Sequence, residues 1–130
     1  MAEKRILIID DDPDIRSYFA KFFRVLDSNI KLHEASTLVS AVDLLERESV
    51  SLILLDLRLE YEMGVEFLKF REDMAKIKKI PVVVISAHSE EEMVRECLQY
   101  GIKDFIKKPF EGFEQLKKRL EKISSFSRLT

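Results

Sequence analysis

Short apolar runs alternate along this chain with longer stretches whose apolar residues recur at helical spacing. The runs predict strands over Arg5–Asp10, Ile30–Ala35, Ser51–Asp56, Pro81–Ser86 and Lys103–Lys107. The stretches between them read as helices. In the first, Ile15, Phe19, Phe22, Phe23 and Leu26 share a face, behind Asp12 as N-cap and Pro13 near the first helical position. In the second, Leu38–Glu48, the residues Leu38, Ala41, Val42 and Leu45 are in phase. Gly64 opens a third, which runs to about Met74, and "KIKK" at 76–79 reads as a solvated turn. Ser89 ahead of Glu90, Glu91 and Glu92 is an N-cap with acids in the first turn, and Gly101 stops that helix. The last helix, from about Glu111 to Ile123, spaces Phe113, Leu116, Leu120 and Ile123 by 3-4-3.

Strand–helix alternation at this spacing implies right-handed crossovers and a parallel sheet with helices on both faces. "ILII", "LILL" and "VVVI" are apolar throughout, as strands covered on both faces are, whereas "IKLHE" alternates and "KDFIKK" is mostly polar. The latter two are therefore the edges. The expected fold is α/β, a doubly wound (βα)5 sheet of five parallel strands in the order 2-1-3-4-5, flavodoxin-like.

Composition adds little beyond exclusions. At 130 residues, 46% hydrophobic and 35% charged, the chain has the length and make-up of one folded domain. A net charge of −2 gives no electrostatic case for direct nucleic-acid binding, and no apolar run approaches a membrane span. A single Cys excludes an intramolecular disulfide and suits a cytoplasmic, reducing compartment.

The chemistry gathers where strands end. Asp10 and Asp11 follow the first strand, Asp56 the third, Ser86 the fourth and Lys108 the fifth. Ligands of open parallel sheets sit beyond those carboxyl ends, beside the switch in strand order, and the proposed order makes the first and third strands neighbours. Converging carboxylates either raise their pKa values or bind a cation. Mg²⁺ suits oxygen ligands that include one or two carboxylates and phosphate oxygens. Next to such an ion a carboxylate can act as nucleophile toward phosphorus, with the Lys ammonium and the Ser hydroxyl on phosphate oxygens. His33, His88 and Cys97 offer no zinc site.

"ILIIDDDPDIR", "LILLDLRLEYEMG", "VVVISA" and "DFIKKPF", in this order and spacing, resemble the receiver domain of two-component response regulators. The resemblance covers Lys4 to about Ser124, so residues 1–124 are expected to be the receiver and 125–130 a tail or the start of a linker. It implies Asp56 as phospho-acceptor, taking phosphate from the phosphohistidine of a sensor histidine kinase or phosphotransfer protein. Asp10, Asp11 and Asp56 would hold Mg²⁺, Asp11 directly, with the backbone carbonyl of Arg58 completing the protein ligands. Lys108 would bind the phosphoryl group, Ser86 would be the switch hydroxyl and Phe105 the switch aromatic. The family often has a cis bond at Lys-Pro, so Lys108–Pro109 is expected cis. The partner surface implied is the one made by the helix after the fourth strand, the fifth strand and the last helix. Output is then altered affinity for a downstream protein, and the chain catalyses only its own phosphorylation and dephosphorylation. Dimerisation through the last helix is left open.

Two departures from the family pattern stand out. The usual Pro four residues after the acceptor is Glu60 here, followed by Tyr61, Glu62 and Met63, which predicts a mobile 59–63 loop. Arg58 and His88 lie two residues beyond Asp56 and Ser86, beside the path of hydrolytic water in the family. Away from the site, His33 is expected to face solvent and Cys97 to be a small buried hydrophobe. Other classes fit less well. A flavodoxin-type cofactor binder needs a Ser/Thr/Gly-rich phosphate loop where this chain has three acids. An Asp-nucleophile phosphatase usually carries a second acid where "DLR" has Arg58. A receiver-like interaction domain that works without phosphorylation is the remaining alternative, with Glu60 as its hint.

Overall fold

The computed structural model describes residues 4–110 and 112–123. Five strands, β1 (Lys4–Ile9), β2 (Ile30–Ala35), β3 (Leu52–Asp56), β4 (Val82–Ser86) and β5 (Asp104–Lys107), form one sheet. Its order is β2-β1-β3-β4-β5 and every pairing is parallel. The helices are α1 (Pro13–Leu26), α2 (Leu38–Arg47), α3 (Val65–Glu72), α4 (Ala75–Lys78), α5 (Glu91–Gln99) and α6 (Phe113–Glu121). The expected α/β topology and strand order are therefore present. Among these helices none is long and apolar enough to cross a membrane.

The unbroken apolar strands have a direct physical cause. Successive side chains of a strand point to opposite faces, so a strand covered on both sides needs apolar residues at every position. Leu7, Ile9, Ile53, Leu55, Val82 and Val84 face one core, closed by Ala41 and Leu45 of α2, Phe67 and Leu68 of α3, and Cys97 of α5. Ile6, Ile8, Leu52, Leu54, Val83 and Ile85 face the other, closed by Phe19, Phe22 and Phe23 of α1 and by Leu116 and Leu120 of α6. Each of the buried Val, Leu, Ile and Phe side chains among these contributes about 1.5–3 kcal/mol. Rings of Phe19, Phe22 and Phe23 meet edge-on or stacked at centroid separations of 5.1–6.1 Å, which fixes α1 on its face of the sheet.

Local signals explain most boundaries. Asp12 caps α1 by accepting the Asp14 N–H at 2.9 Å, with Pro13 first in the helix. Thr37 and Ser40 form a capping box on α2. Gly101 takes φ 74°, the left-handed turn that ends α5. Three local expectations need correction. Ser89 does not cap α5; Glu90 holds that position and its side chain makes no capping bond. The helix opened by Gly64 ends at Glu72, and 75–78 forms the separate one-turn α4, because Ile77 is buried and anchors what reads as a polar turn. His33 is half-buried, not solvent-facing, although β2 is an edge strand. Glu111, where the last helix was expected to begin, and the 125–130 tail lie outside the described residues.

One buried cation was invisible in the pattern. Arg71 of α3 is 4% exposed and reaches across to the carbonyl at the end of α5, donating from Nη1 to Tyr100 O at 2.8 Å. Burial pulls its pKa down, partly countered by Glu72. Truncating it leaves a cavity and an unpaired carbonyl, so Arg71→Ala should cost about 2–4 kcal/mol in urea unfolding. A loss below about 0.5 kcal/mol would show that the bond to Tyr100 contributes nothing net.

Candidate functional site

The sheet brings the acids together as its order requires. β1 and β3 are adjacent, with Ile9 opposite Leu55, so Asp10 and Asp56 emerge side by side at the same edge. Asp10 still belongs to the ladder, its N–H donating to Ala35 O at 3.0 Å, and it is completely buried. Its carbonyl accepts from Arg16 Nη1 at 2.7 Å, and Arg16 is itself held by Glu34. Asp56 ends β3 and is 6% exposed. Asp11, one step beyond Asp10, is half-buried. One carboxylate oxygen from each of Asp10, Asp11 and Asp56 lies within 4.8 Å of the other two, a grouping that could hold a metal ion.

Lys108 enters from the far end of the chain. Its N–H donates to Ser86 O at 2.8 Å, fixing the backbone after β5 against β4, and the Lys108–Pro109 bond is cis as expected. Its Nζ donates to Asp10 Oδ2 at 2.9 Å and to Asp56 Oδ2 at 3.3 Å. Burial lowers the Lys108 pKa, but the Asp10 hydrogen bond and the charges of Asp56 and Asp10 outweigh it, so the ammonium is held above its ordinary value. Asp56 moves the other way. Burial first, then the Asp10 charge, push its pKa from 3.8 up to about 6, against Lys108 and the Arg58 N–H.

These contacts sort the three acids. Asp10 has both oxygens engaged, one by Lys108 and the other by the Asp12 N–H at 2.9 Å. Asp11 has no hydrogen-bond or ion-pair partner among the described residues, and Asp56 Oδ1 has only a long 3.4 Å contact from the Arg58 N–H. Three carboxylates against one ammonium leave two negative charges, which one divalent cation would balance. The donors are all hard oxygens, so the set fits Mg²⁺ and not zinc.

Ser86, at the end of β4, is fully buried, and its Oγ accepts from the His88 N–H at 3.0 Å. Phe105 lies opposite Val84 on the neighbouring strand, half-buried against the core that contains Cys97 and Ile102. Arg119 of α6 pins this strand by donating to both Asp104 oxygens and to Phe105 O, each at 2.8–2.9 Å. Cys97 is completely buried, and burial pushes its thiol up to about 11, so it is the inert hydrophobe expected.

The segment over the site makes contacts that its acid-rich sequence does not announce. Arg58 bridges Met63 in antiparallel fashion, the Leu59 N–H donates to Glu62 O at 3.0 Å, and Leu59 is buried. Glu62 then caps α2, its Oε2 accepting the Leu38 N–H at 3.0 Å. The extra acid ties the loop to α2, while Glu60, Tyr61 and Met63 remain exposed, Tyr61 at 89%. At the rim Arg58 and His88 both approach Glu90, at 3.6 and 3.9 Å. Sequence reasoning treated Gly64 only as a helix start. A Cβ there would collide with the Asp56 carbonyl oxygen, so its lack of a side chain lets the loop close on the acceptor strand.

With this geometry in place, residues 6–121 match the response regulator receiver domain, and the chain belongs to that family. It is 31% identical over 121 residues to the probable C4-dicarboxylate response regulator DctR of Priestia megaterium, a match covering 93% of this chain and 52% of that protein. The chain thus spans about half the length of that relative. It is 30% identical over 125 residues to chemotaxis protein CheY-3 of Vibrio cholerae, covering 96% of this chain and 93% of the other. The receiver domain of sensor histidine kinase PA1611 from Pseudomonas aeruginosa, solved with a magnesium ion coordinated in its active site cleft, superposes with a TM-score of 0.79 at 24% identity. That superposition covers 93% of this chain and 97% of that one. As a family member the chain is a receiver domain of the kind found in two-component response regulators.

The raised Asp56 pKa gives stability a pH dependence. Because the folded chain holds this proton more tightly than the unfolded chain, stability falls as pH rises from about 4 to about 6, and the loss is complete above that. In metal-free buffer Asp56→Asn should therefore be more stable than wild type at pH 7.5, by about 1–3 kcal/mol. The advantage should shrink toward pH 4. Equal thermal melting of the two proteins at pH 7.5 would contradict the repulsion between Asp10 and Asp56.

Proposed function

We propose that Asp56 is the phospho-acceptor of this receiver and that Asp11 and Asp56, with the Arg58 carbonyl, hold Mg²⁺ directly. Asp10 belongs to the same metal site but acts mainly by orienting Lys108. The observation that carries this reading is the Lys108 ammonium placed between Asp10 and Asp56 beside the open Asp11 carboxylate. The ion, when bound, supplies charge neutralisation for an incoming anionic phosphoryl group. Everything else comes from the chain. An Asp56 carboxylate oxygen attacks phosphorus, the phosphorus–nitrogen bond of a kinase or phosphotransfer-protein phosphohistidine breaks, and the leaving imidazole takes up the electron pair. Lys108 exchanges its contact with Asp56 for a phosphoryl oxygen, and the Ser86 hydroxyl donates to another.

The switch follows from how tightly Ser86 is held. A fully buried hydroxyl that turns toward the phosphoryl group leaves the His88 N–H and opens space next to β5, into which the half-buried Phe105 ring rotates. This biases the face built from α5, β5 and α6 between two existing states and changes its affinity for a downstream protein. The chain catalyses its own phosphorylation and dephosphorylation and turns over no other substrate. Its net charge of −2 argues against direct nucleic-acid contact, and its single Cys suits the cytoplasm. Residues 1–124 form the receiver and 125–130 a tail or linker start.

Intact mass after incubation with acetyl phosphate and Mg²⁺ should show one added phosphoryl group on wild type. The adduct should be absent in Asp56→Asn and, through loss of the ion, in Asp11→Ala. Equal labelling of all three proteins would remove the site. No labelling of folded wild type with Mg²⁺ present would instead favour the phosphorylation-independent interaction domain.

A further inference from the structure

α3 buries Phe67 and Leu68 in the core but departs from the usual pattern at two positions. Its cation Arg71 is buried, whereas its aromatic Phe70 is 40% exposed and faces α2 across a groove. On the α2 side the groove is lined by Leu38, Val39 and Val42, and Val39 is 78% exposed. Phe67 forms the floor, and Glu66 is the one polar residue of the lining. The cavity is about 310 Å³, room for one or two large apolar side chains. Val39 also lines a neighbouring hollow of about 690 Å³, which runs past Tyr61, Glu60 and Glu62 to Asp11. The apolar strip from Phe70 through Val39 to Tyr61 therefore leads to the loop above the acceptor.

The rim of this strip is acidic. Asp43 and Glu46 continue the helical stripe of Val39 on α2, and both are exposed. Glu60, Glu62 and Glu66 border the other side. The cations nearby are Arg16, which lines the neighbouring hollow and is held by Glu34 at 3.1 Å, and Arg47 and Lys69, engaged within their own helices by Asp43 at 3.1 Å and Glu66 at 3.6 Å. With Asp11 of the same hollow, six carboxylates stand against three cations, which leaves the surroundings of the groove negative.

We infer that the α2–α3 groove docks a cationic amphipathic helix of a partner protein. A trough between two helices accepts the side-chain ridge of a third, read as anchors at i, i+3 or i+4. The ten residues of α2 set the length of contact at about 15 Å, some three turns. Lys or Arg residues flanking the anchors meet Glu60, Glu62 and Glu66. A second copy of this chain would oppose acid with acid, and an anionic lipid surface would be repelled likewise. This face is separate from the α5–β5–α6 switch face, and docking on it does not require a phosphoryl group.

The test uses the ¹⁵N-labelled full chain and two synthetic helical peptides with the same Leu stripe, one flanked by Lys and the other by Glu. The Lys peptide should shift the amide resonances of Val39, Val42, Glu66 and Phe70, and bind about tenfold or more tightly than the Glu peptide. Its affinity should fall as salt is raised. Val39→Lys, a change at an exposed position, should leave thermal melting unchanged and weaken binding about tenfold. Val25→Lys on α1, where the side chain is 73% exposed, should leave binding intact. Any of four results would overturn the inference. These are equal affinity for both peptides, shifts mapped to another face, broadening of the groove resonances with protein concentration alone, and binding to phosphatidylserine vesicles without binding of the Lys peptide.

Discussion

Two carboxylates that repel each other are buried at the end of neighbouring strands, and a single ammonium from the other end of the chain holds them there. Lys108 touches Asp10 at 2.9 Å and Asp56 at 3.3 Å, with Asp10 fully buried and Asp56 nearly so. That arrangement constrains much else. Because β1 and β3 must be adjacent for the acids to meet, the chain has to cross over so that β2 lies outside β1. Because Lys108 must reach both, β5 has to end level with β4, which the Lys108 N–H to Ser86 carbonyl bond enforces. The charge is still not balanced. Asp56 keeps a raised pKa and Asp11 has no partner among the described residues, so the three acids form a grouping that could hold a cation.

The sequence was legible where one side chain's environment is dictated by alternation. "ILII", "LILL" and "VVVI" could only be strands covered on both faces, and the order of strands followed from which runs were polar. The site was legible for the same reason, since chemistry-bearing residues at strand ends are placed by the sheet. What could not be read depends on contacts between elements remote in sequence. Nothing in "FRED" marks Arg71 as buried; its position is set by the carbonyl of Tyr100, which α5 delivers. Ser89 has the chemistry of a helix cap, yet the chain turns into the helix one residue later and Glu90 takes the place. Gly64 looked like a helix start because the Asp56 carbonyl that forbids a side chain there comes from another strand.

The loop after β3 is the case in which a local reading left out partners from elsewhere in the chain. Replacing a rigid Pro by Glu60 in an acid-rich stretch predicts repulsion and mobility. The structure offsets it with partners the stretch itself does not contain. Glu62 finds the unpaired N–H at the start of α2, where a carboxylate also meets the positive end of the helix dipole. Leu59 drops into the core, and Gly64 closes the base of the loop with its N–H on Leu57 O at 2.7 Å. The loop is thereby fastened to α2 as well as to β3.

α3 has a place in the same network. α3 begins at the Gly64 junction, and its inward Arg71 grips the end of α5, a helix of the switch face. Its outward Phe70 shares a groove with α2, whose first N–H is held by the loop over Asp56. One helix thus adjoins the loop beside Asp56, the groove and the end of α5. Burying a cation while leaving a ring in water is unfavourable for an isolated helix. It becomes intelligible once α3 is viewed as a strut between surfaces, where the inward residue must bind a carbonyl and the outward one must remain available.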